Sequence, residues 1–225
     1  TGSDPFVVLA DADLEAALDA GVASRCLNAG QSCIAAKRFI VEAPLHEAFI
    51  EGLVARMSAL VVGDPTAPGT TLGPLARPDL VDTLDRQVQA SIAAGARLRL
   101  GGTPLPGPGS FYPPTVLTHV PAGCPAADEE LFGPVASVFR ARDEDHALQL
   151  ANQTRYGLSA SVWTQDRPRG KRLASRIRAG GVFVNQMSYS DPRLPFGGIG
   201  ISGYGRELGR EGILEFVNAK TVSVR

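Results

Sequence analysis

The residues best suited to chemistry lie in three short segments, and the first contains Cys33. This cysteine, in the sequence GQSC, follows a glycine turn and directly precedes a strand pattern. A thiolate at such a junction can attack carbonyl carbon, while backbone N–H groups stabilise the oxyanion that forms. A small buried hydrophobic side chain is the alternative, and it is the commoner role of a single cysteine. Burial is also the better explanation for Cys26, inside a helix pattern, and for Cys124, in a proline-flanked connection.

The second segment, DEELFGPV, contains Glu130, and the third is the glycine-rich stretch at residues 185–207. A carboxylate can accept two hydrogen bonds from a vicinal diol such as a ribose. A solvated run of charge is the alternative, and composition alone favours it. Glycines in the third segment permit close backbone approach. Neither GxGxxG nor GxxxxGK[ST] occurs in the chain, so it contains no recognisable dinucleotide or phosphate fingerprint.

The histidines and cysteines form no pattern that indicates a catalytic base or a metal site. His46, His119 and His146 are far apart in sequence and lie outside the motifs, so we interpret them as surface or packing residues. The chain has neither CxxC nor a Cys/His cluster, and no metal site is expected. Three sparse cysteines fit free thiols in a reducing compartment, which predicts a cytoplasmic protein.

Composition excludes several classes of protein. The 225 residues include 22 basic and 23 acidic side chains, a formal net charge of -1. That balance argues against binding to nucleic acid or to an anionic membrane surface. A hydrophobic share of 44% is typical of a globular chain, and no apolar run is long enough to span a bilayer.

Short β-branched runs alternate with helical patterns, which predicts an α/β fold with a mainly parallel sheet covered by helices on both faces. Helices are expected after Asp11, from Pro44, from Pro78, and in EDHALQLANQ, PRGKRLASRIR and GILEFV. Strands are expected in FVVLA, KRFIVE, ARLRL, TVLTHV, VASVFR, SASVWT and GVFVN, with a hairpin around residues 101–110. The final KTVSVR predicts a strand that fills an edge of this sheet or joins a neighbour's.

Three motifs in order resemble the NAD(P)-dependent aldehyde dehydrogenase family: GQSC, EELFGPV, and PFGG followed by SGYGRE. The resemblance covers the second half of a family member, and the opening GSDPFVVLADADLE is most similar to bacterial succinate-semialdehyde dehydrogenases. It implies a Rossmann-like catalytic domain at residues 1–205. It also implies a C-terminal helix and oligomerisation strand at residues 206–225, and a cofactor-binding domain upstream that this chain lacks.

The resemblance further implies that Cys33 attacks an aldehyde, that hydride passes to NAD or NADP, and that water hydrolyses the resulting thioester. Glu130 corresponds to the residue that binds the nicotinamide ribose, and Phe132 to one near the ring. Asn185 corresponds to an asparagine near the site, and Phe196 to a residue lining the substrate channel. Most of the cofactor site would lie in the missing half.

Departures from the family pattern qualify these expectations. The family's general base and oxyanion asparagine lie upstream of Thr1, so the isolated chain is expected to lack turnover. Leu27 stands where many succinate-semialdehyde enzymes have an arginine for the distal carboxylate. Ser188, Ser190 and Arg193 could bind that carboxylate instead, although exposed loop residues are more often merely solvated. Gly200 stands where a lysine is usual.

The leading hypothesis is therefore the catalytic and oligomerisation portion of an aldehyde dehydrogenase that acts on a small semialdehyde as a homo-oligomer. One alternative is a cofactor-independent thioester or ester hydrolase that uses Cys33. Another is a non-catalytic assembly module. The sequence does not choose between NAD and NADP, or between dimer and tetramer.

Overall fold

The chain forms seven strands and seven α-helices in a computed structural model that describes all 225 residues. The strands are β1 (Asp4–Val8), β2 (Ala36–Glu42), β3 (Arg97–Leu100), β4 (Thr115–Thr118), β5 (Val135–Ala141), β6 (Ser159–Trp163) and β7 (Gly181–Val184). The helices are α1 (Leu14–Cys26), α2 (His46–Ser58), α3 (Pro78–Ala93), α4 (Pro125–Asp128), α5 (Glu144–Asn152), α6 (Arg167–Ala174) and α7 (Gly209–Leu214).

The strands form one sheet in the order β3-β4-β5-β2-β1-β6-β7. Every neighbouring pair is parallel except β3 and β4, which form the predicted antiparallel hairpin. All residues of the central strands β1 and β2 are buried, as expected for parallel strands covered on both faces. The predicted α/β class with a mainly parallel sheet is confirmed.

Alternate residues of β1 supply two cores, one on each face of the sheet. Phe6 and Val8 pack with Phe39 against α1 and α2, and the ring of Phe6 lies 5.2 Å from that of Phe39. Val7, on the opposite face, packs with Ile40 against α5 and α6. The period-two pattern of a strand therefore divides these side chains between the two layers of helices.

Helix boundaries follow local signals in most places. The Asp13 side chain caps α1 by accepting a hydrogen bond from the Ala16 N–H, and Pro78 is the first residue of α3, as predicted. Helix α2 begins at His46 rather than at Pro44, because the Leu45 N–H closes a turn onto the Glu42 carbonyl.

The strand predicted at the C-terminus does not form within a single chain. Residues 215–225 form no strand, and Val222 and Val224 are 75% and 89% exposed. An oligomerisation strand at KTVSVR stays a prediction, since its partner would be another chain. None of the helices is both long enough and apolar enough to cross a bilayer.

Candidate functional site

The three sequence motifs meet at one edge of the sheet. Cys33 lies shortly before β2 and Glu130 shortly before β5, so both are at the amino ends of parallel strands. The glycine-rich loop returns to the same edge, where the Ile199 N–H donates to the carbonyl of Gly157, just before β6. Parallel pairing therefore places the motifs together, although long stretches of sequence separate them.

A cavity of about 420 Å³ opens at this edge. Cys33 and Leu158 form one side of it, and Phe196 and the glycine-rich segment up to Glu207 form the other. Arg206 also lines the cavity and donates through Nη1 to the carbonyls of Gly198 and Gly205, which braces the loop. Of the predicted site residues, Cys33 and Phe196 line this cavity.

The three cysteines have different surroundings. Cys33 is partly exposed, and its backbone N–H donates no hydrogen bond within the chain. Burial raises the pKa of Cys26 to about 11, which leaves that thiol protonated at neutral pH. Cys124 is buried at the start of α4. Cys33 is thus the one cysteine that combines access to a cavity with a free amide donor beside it.

Gly30 brings the Cys33 turn against the Glu130 segment. Its φ is +77°, and a Cβ built there would lie 2.3 Å from the carbonyl carbon and oxygen of Gly133. The preceding Asn28 and Ala29 are also left-handed, with φ of 52° and 55°, a tight turn that the sequence analysis missed. Only a residue without a side chain fits between the two turns.

The Glu130 carboxylate does not line the Cys33 cavity and is held by the first two residues of the chain. Its Oε1 accepts a hydrogen bond from the Gly2 N–H at 3.0 Å, and its Oε2 accepts one from the Thr1 hydroxyl. The side chain is 17% exposed, and a carboxylate with spare acceptor capacity fits the hydroxyls of a ribose. Phe132 is half-buried and does not line the cavity.

Buried charges beneath the site were not predicted from the sequence. The Lys37 ammonium donates to the carbonyls of Ser32, Cys33 and Ala35 at 3.0 to 3.1 Å. Burial, with a smaller contribution from the positive charge of nearby Arg25, lowers the pKa of Lys37 to about 8. The available signal was the charged pair Lys37 and Arg38 directly before the apolar run Phe39–Val41 of β2.

Asp4 is the acidic member of this buried group. Its Oδ1 accepts a hydrogen bond from the Ser159 N–H at 3.2 Å, while Oδ2 has no partner. Burial raises the pKa of Asp4 to about 7, against the opposing effect of nearby Lys37. The amino end of β1 therefore contains a carboxyl group that titrates near neutrality.

Asn185 supports the backbone rather than lining the cavity. Its Oδ1 accepts from the Thr164 N–H at 2.9 Å, and its Nδ2 donates to the Thr164 carbonyl at 2.8 Å. Its φ of 54° is one that asparagine tolerates better than most residues. Both polar groups of this side chain are therefore occupied in fixing the path of the chain after β7.

A second cavity of about 240 Å³ is also lined by Phe196, together with Ser159 and Asp191, but not by the predicted residues Ser188, Ser190 and Arg193. Ser188 is buried, and its hydroxyl accepts a hydrogen bond from Ser159 at 2.5 Å. Ser190 is exposed. Arg193 is bound to Asp191 through a 2.6 Å contact, and this pairing lowers the pKa of Asp191 to about 2. The structure brings Ser188 into the interior and leaves Arg193 neutralised at the surface.

Two departures from the family pattern have clear positions. Leu27 is 50% exposed and does not line the Cys33 cavity. Gly200 has a φ of +63°, and a Cβ there would lie 2.5 Å from the Arg155 carbonyl oxygen. Glycine is therefore the residue that this backbone accommodates where a lysine is expected.

The three histidines, interpreted from the sequence as surface or packing residues, converge on a cavity of about 270 Å³. His46, His119 and His146 follow the carboxyl ends of β2, β4 and β5, so this cavity lies at the edge opposite Cys33. The histidines are not arranged to share a metal ion. No imidazole is therefore available beside Cys33 as a base.

Comparisons with known proteins agree with this geometry. Residues 1–222 match the model of the aldehyde dehydrogenase family. The chain is 53% identical to "Succinate-semialdehyde dehydrogenase [NADP(+)] 1" of Mycobacterium ulcerans (strain Agy99), over 99% of this chain and 49% of that protein. It is 54% identical to "Probable succinate-semialdehyde dehydrogenase [NADP(+)]" of Synechocystis sp. (strain ATCC 27184 / PCC 6803 / Kazusa), over 98% of this chain and 49% of that protein.

Solved structures show the same likeness. Lactaldehyde dehydrogenase from Escherichia coli superposes with a TM-score of 0.95 at 32% identity, covering 98% of this chain and 46% of that one. The chain spans about half the length of the curated relatives it matches. With the family model matched over nearly every residue, the chain belongs to the aldehyde dehydrogenase family.

Proposed function

We propose that this chain forms the thiol-bearing catalytic part of an enzyme that oxidises a small semialdehyde, succinate semialdehyde or a similar compound, to the carboxylate. The observation that carries the proposal is Cys33, with its free backbone N–H, in the wall of a cavity shared with Phe196. The names of the two relatives support both the semialdehyde and NADP as the cofactor.

In the proposed reaction the Cys33 thiolate adds to the aldehyde carbon. A carbon–sulfur bond forms, and the carbonyl π electrons move to the oxygen, which becomes an oxyanion. The backbone N–H of Cys33 makes no other hydrogen bond and is available to donate to that oxygen. The product of this step is a thiohemiacetal attached to Cys33.

A nicotinamide cofactor, when bound, supplies the hydride acceptor that converts this thiohemiacetal into a thioester. Glu130 is the residue of this chain that would hold its ribose hydroxyls, since the carboxylate is fixed by the Gly2 N–H and still partly exposed. Water then releases the acid from Cys33.

Two carboxylates missed by the sequence analysis, Glu207 and Glu215, line the cavity of Cys33. Because the chain spans about half of its relatives, we propose that turnover requires the rest of the protein.

The distal carboxylate of the semialdehyde would need a donor other than Arg193. Arg193 is already paired with Asp191, so its charge is largely compensated. Ser159 lines the second cavity and its hydroxyl donates to that of buried Ser188, so this pair of neutral hydroxyls keeps one proton to donate to a carboxylate that extends past Phe196. Replacing Arg193 by glutamine should therefore change the Michaelis constant for the semialdehyde less than replacing Ser188 by alanine.

Selective alkylation tests the nucleophile assignment. The folded chain is treated with limiting iodoacetamide at pH 7, and the modified cysteine is identified by peptide mapping. We expect Cys33 to react first, because Cys124 is buried and burial raises the pKa of the Cys26 thiol to about 11. A Cys33→Ser variant serves as the control and should take up far less reagent. Faster modification of Cys26 or Cys124 in the folded wild-type chain would exclude Cys33 as the reactive thiol.

The hydrolase alternative predicts that the chain alone cleaves activated esters. Repeated turnover of such an ester needs a base beside the thiol, and the three histidines lie in a different cavity. Acylation of Cys33 by a nitrophenyl ester expels one nitrophenolate and needs no base, whereas hydrolysis of the thioester does. We therefore expect at most one equivalent of nitrophenol per chain, and release beyond one equivalent that is lost in Cys33→Ser would favour the alternative.

We further propose a homo-oligomer in which the C-terminal segment pairs with another copy of the chain. The β-prone KTVSVR is exposed and unpaired, and β7 is an edge strand with a free side. If assembly were the only function, Cys33→Ala would keep its partner binding and no catalysed reaction would be lost.

A further inference from the structure

Lys37 occupies the junction of three segments that form the site. Its ammonium donates to three carbonyls of the Cys33 turn, including that of Cys33 itself at 3.1 Å. The same group lies 3.8 Å from Oε1 of Glu130, and that oxygen also accepts the Gly2 N–H. One buried cation therefore connects the Cys33 turn, the Glu130 segment and the segment leading into β1.

Burying the Lys37 ammonium group costs free energy. The Lys37 side chain is 1% exposed, and transferring an ammonium group out of water is unfavourable unless hydrogen bonds and opposite charges compensate. A neutral residue in β2 would avoid that cost. The hydrogen bonds that compensate for this cost all go to carbonyls of the turn that carries the Cys33 thiol. The buried charge therefore stabilises that turn.

We propose that Lys37 is a positioning residue for Cys33: its ammonium group fixes the nucleophile turn against Glu130 and places a buried positive charge beside the thiol. This inference rests on the proposed role of Cys33. A nearby cation favours the thiolate over the thiol, and the thiolate is the form that attacks carbon.

The charged surroundings of Lys37 set the pH at which this effect operates. Arg25 of α1 opposes its charge, whereas Asp4 of β1, Glu130 and Cys33 favour it. Desolvation outweighs these attractions and lowers the pKa of Lys37 to about 8. The ammonium is therefore present at pH 7 and is lost well before pH 10.

The test is the pH dependence of Cys33 alkylation in the folded chain. Lys37→Met removes the charge at similar length, Lys37→Arg retains a cation, and Lys171→Met makes the same change at an exposed lysine. At pH 7 we expect Lys37→Met to react about threefold or more slowly than the wild type, with the other two variants within about twofold of it. At pH 10 the wild type, Lys37→Met and Lys171→Met should react within about twofold of one another, because the wild-type ammonium has by then lost its proton. Lys37→Arg keeps its cation at pH 10 and should react no more slowly than these three.

Equal rates for Lys37→Met and wild type at pH 7 would overturn the inference. Equal slowing at both pH values would also overturn it, since that is the result of a purely structural role. If Lys37→Met does not fold by circular dichroism, Lys37→Gln carries the same comparison, because its amide can donate to the turn carbonyls without a charge. Should wild-type Cys33 fail to react selectively, the proposed function itself is wrong; a selective Cys33 that ignores Lys37 refutes the inference alone.

Discussion

Replacing Gly30 by alanine should separate the two turns that form the site. Alanine at a φ of +77° pays the cost of the left-handed region, about 1–2 kcal/mol. Its Cβ would also lie 2.3 Å from the backbone of Gly133, and relieving such overpacking adds about 1–3 kcal/mol. The expected total is about 2–5 kcal/mol, a large fraction of the stability of a typical domain.

Gly69 provides the matched control for this prediction. Its φ is +88°, and a Cβ there meets nothing within 4 Å, so Gly69→Ala isolates the backbone cost from the steric one. Urea unfolding of both variants gives the free-energy difference, and iodoacetamide labelling reports whether Cys33 keeps its selectivity. We expect Gly30→Ala to be clearly the less stable variant and to lose selectivity. Equal stability of the two variants would refute the argument that Gly30 is required by contact with Gly133.

Three further predictions concern stability and assembly. Burial raises the pKa of Asp4 to about 7 from 3.8, so the folded chain binds a proton there that the unfolded chain releases. The stability of the wild type relative to Asp4→Asn should therefore fall as pH rises from about 4 to 7, measured by urea unfolding at several pH values, and a pH-independent difference would contradict this. Asn185→Ala loses two hydrogen bonds to Thr164 and places alanine at a φ of 54°, so it should cost about 2–4 kcal/mol in the same assay. Asn185→Gly should cost less than Asn185→Ala, and a neutral Asn185→Ala would show that these bonds contribute nothing. Deleting residues 219–225 should reduce the mass found by sedimentation to that of a monomer. Thermal unfolding should change little, because the segment makes no hydrogen bond within the chain. An oligomer that survives the deletion would show that the interface lies elsewhere.

Local patterns predicted the fold well. Pro78 starts α3, and Leu84 and Val88 form the centre of its buried face, because proline at a first helical position and apolar residues four apart act within a single helix. The hairpin between β3 and β4 was likewise indicated by the glycine- and proline-rich stretch that separates them. The order of the strands in the sheet was not predicted, since it depends on contacts between distant segments.

The site was predicted in part. Cys33 and Phe196 share a cavity, as their motifs suggested, but the tie between Asn185 and Thr164 depends on packing that no local pattern records. The left-handed Asn28 and Ala29 have no sequence signature comparable to that of glycine.

The buried charges under the site and the histidine cavity were missed for a related reason. Lys37 looks like any charged residue near the start of a strand until the carbonyls around it are known. The role of such a side chain depends on the groups that the tertiary structure brings next to it, and spacing along the chain does not reveal those groups.

Protection of Cys33 by an aldehyde tests the central claim most directly. The folded chain is alkylated at pH 7 with and without succinate semialdehyde, and the rate at each cysteine is followed by mass spectrometry of its peptide. If Cys33 is the nucleophile of this cavity, the semialdehyde will slow alkylation of Cys33 in a saturable manner and leave Cys26 unaffected. A rate of Cys33 alkylation that stays the same at every concentration of the semialdehyde would contradict the account.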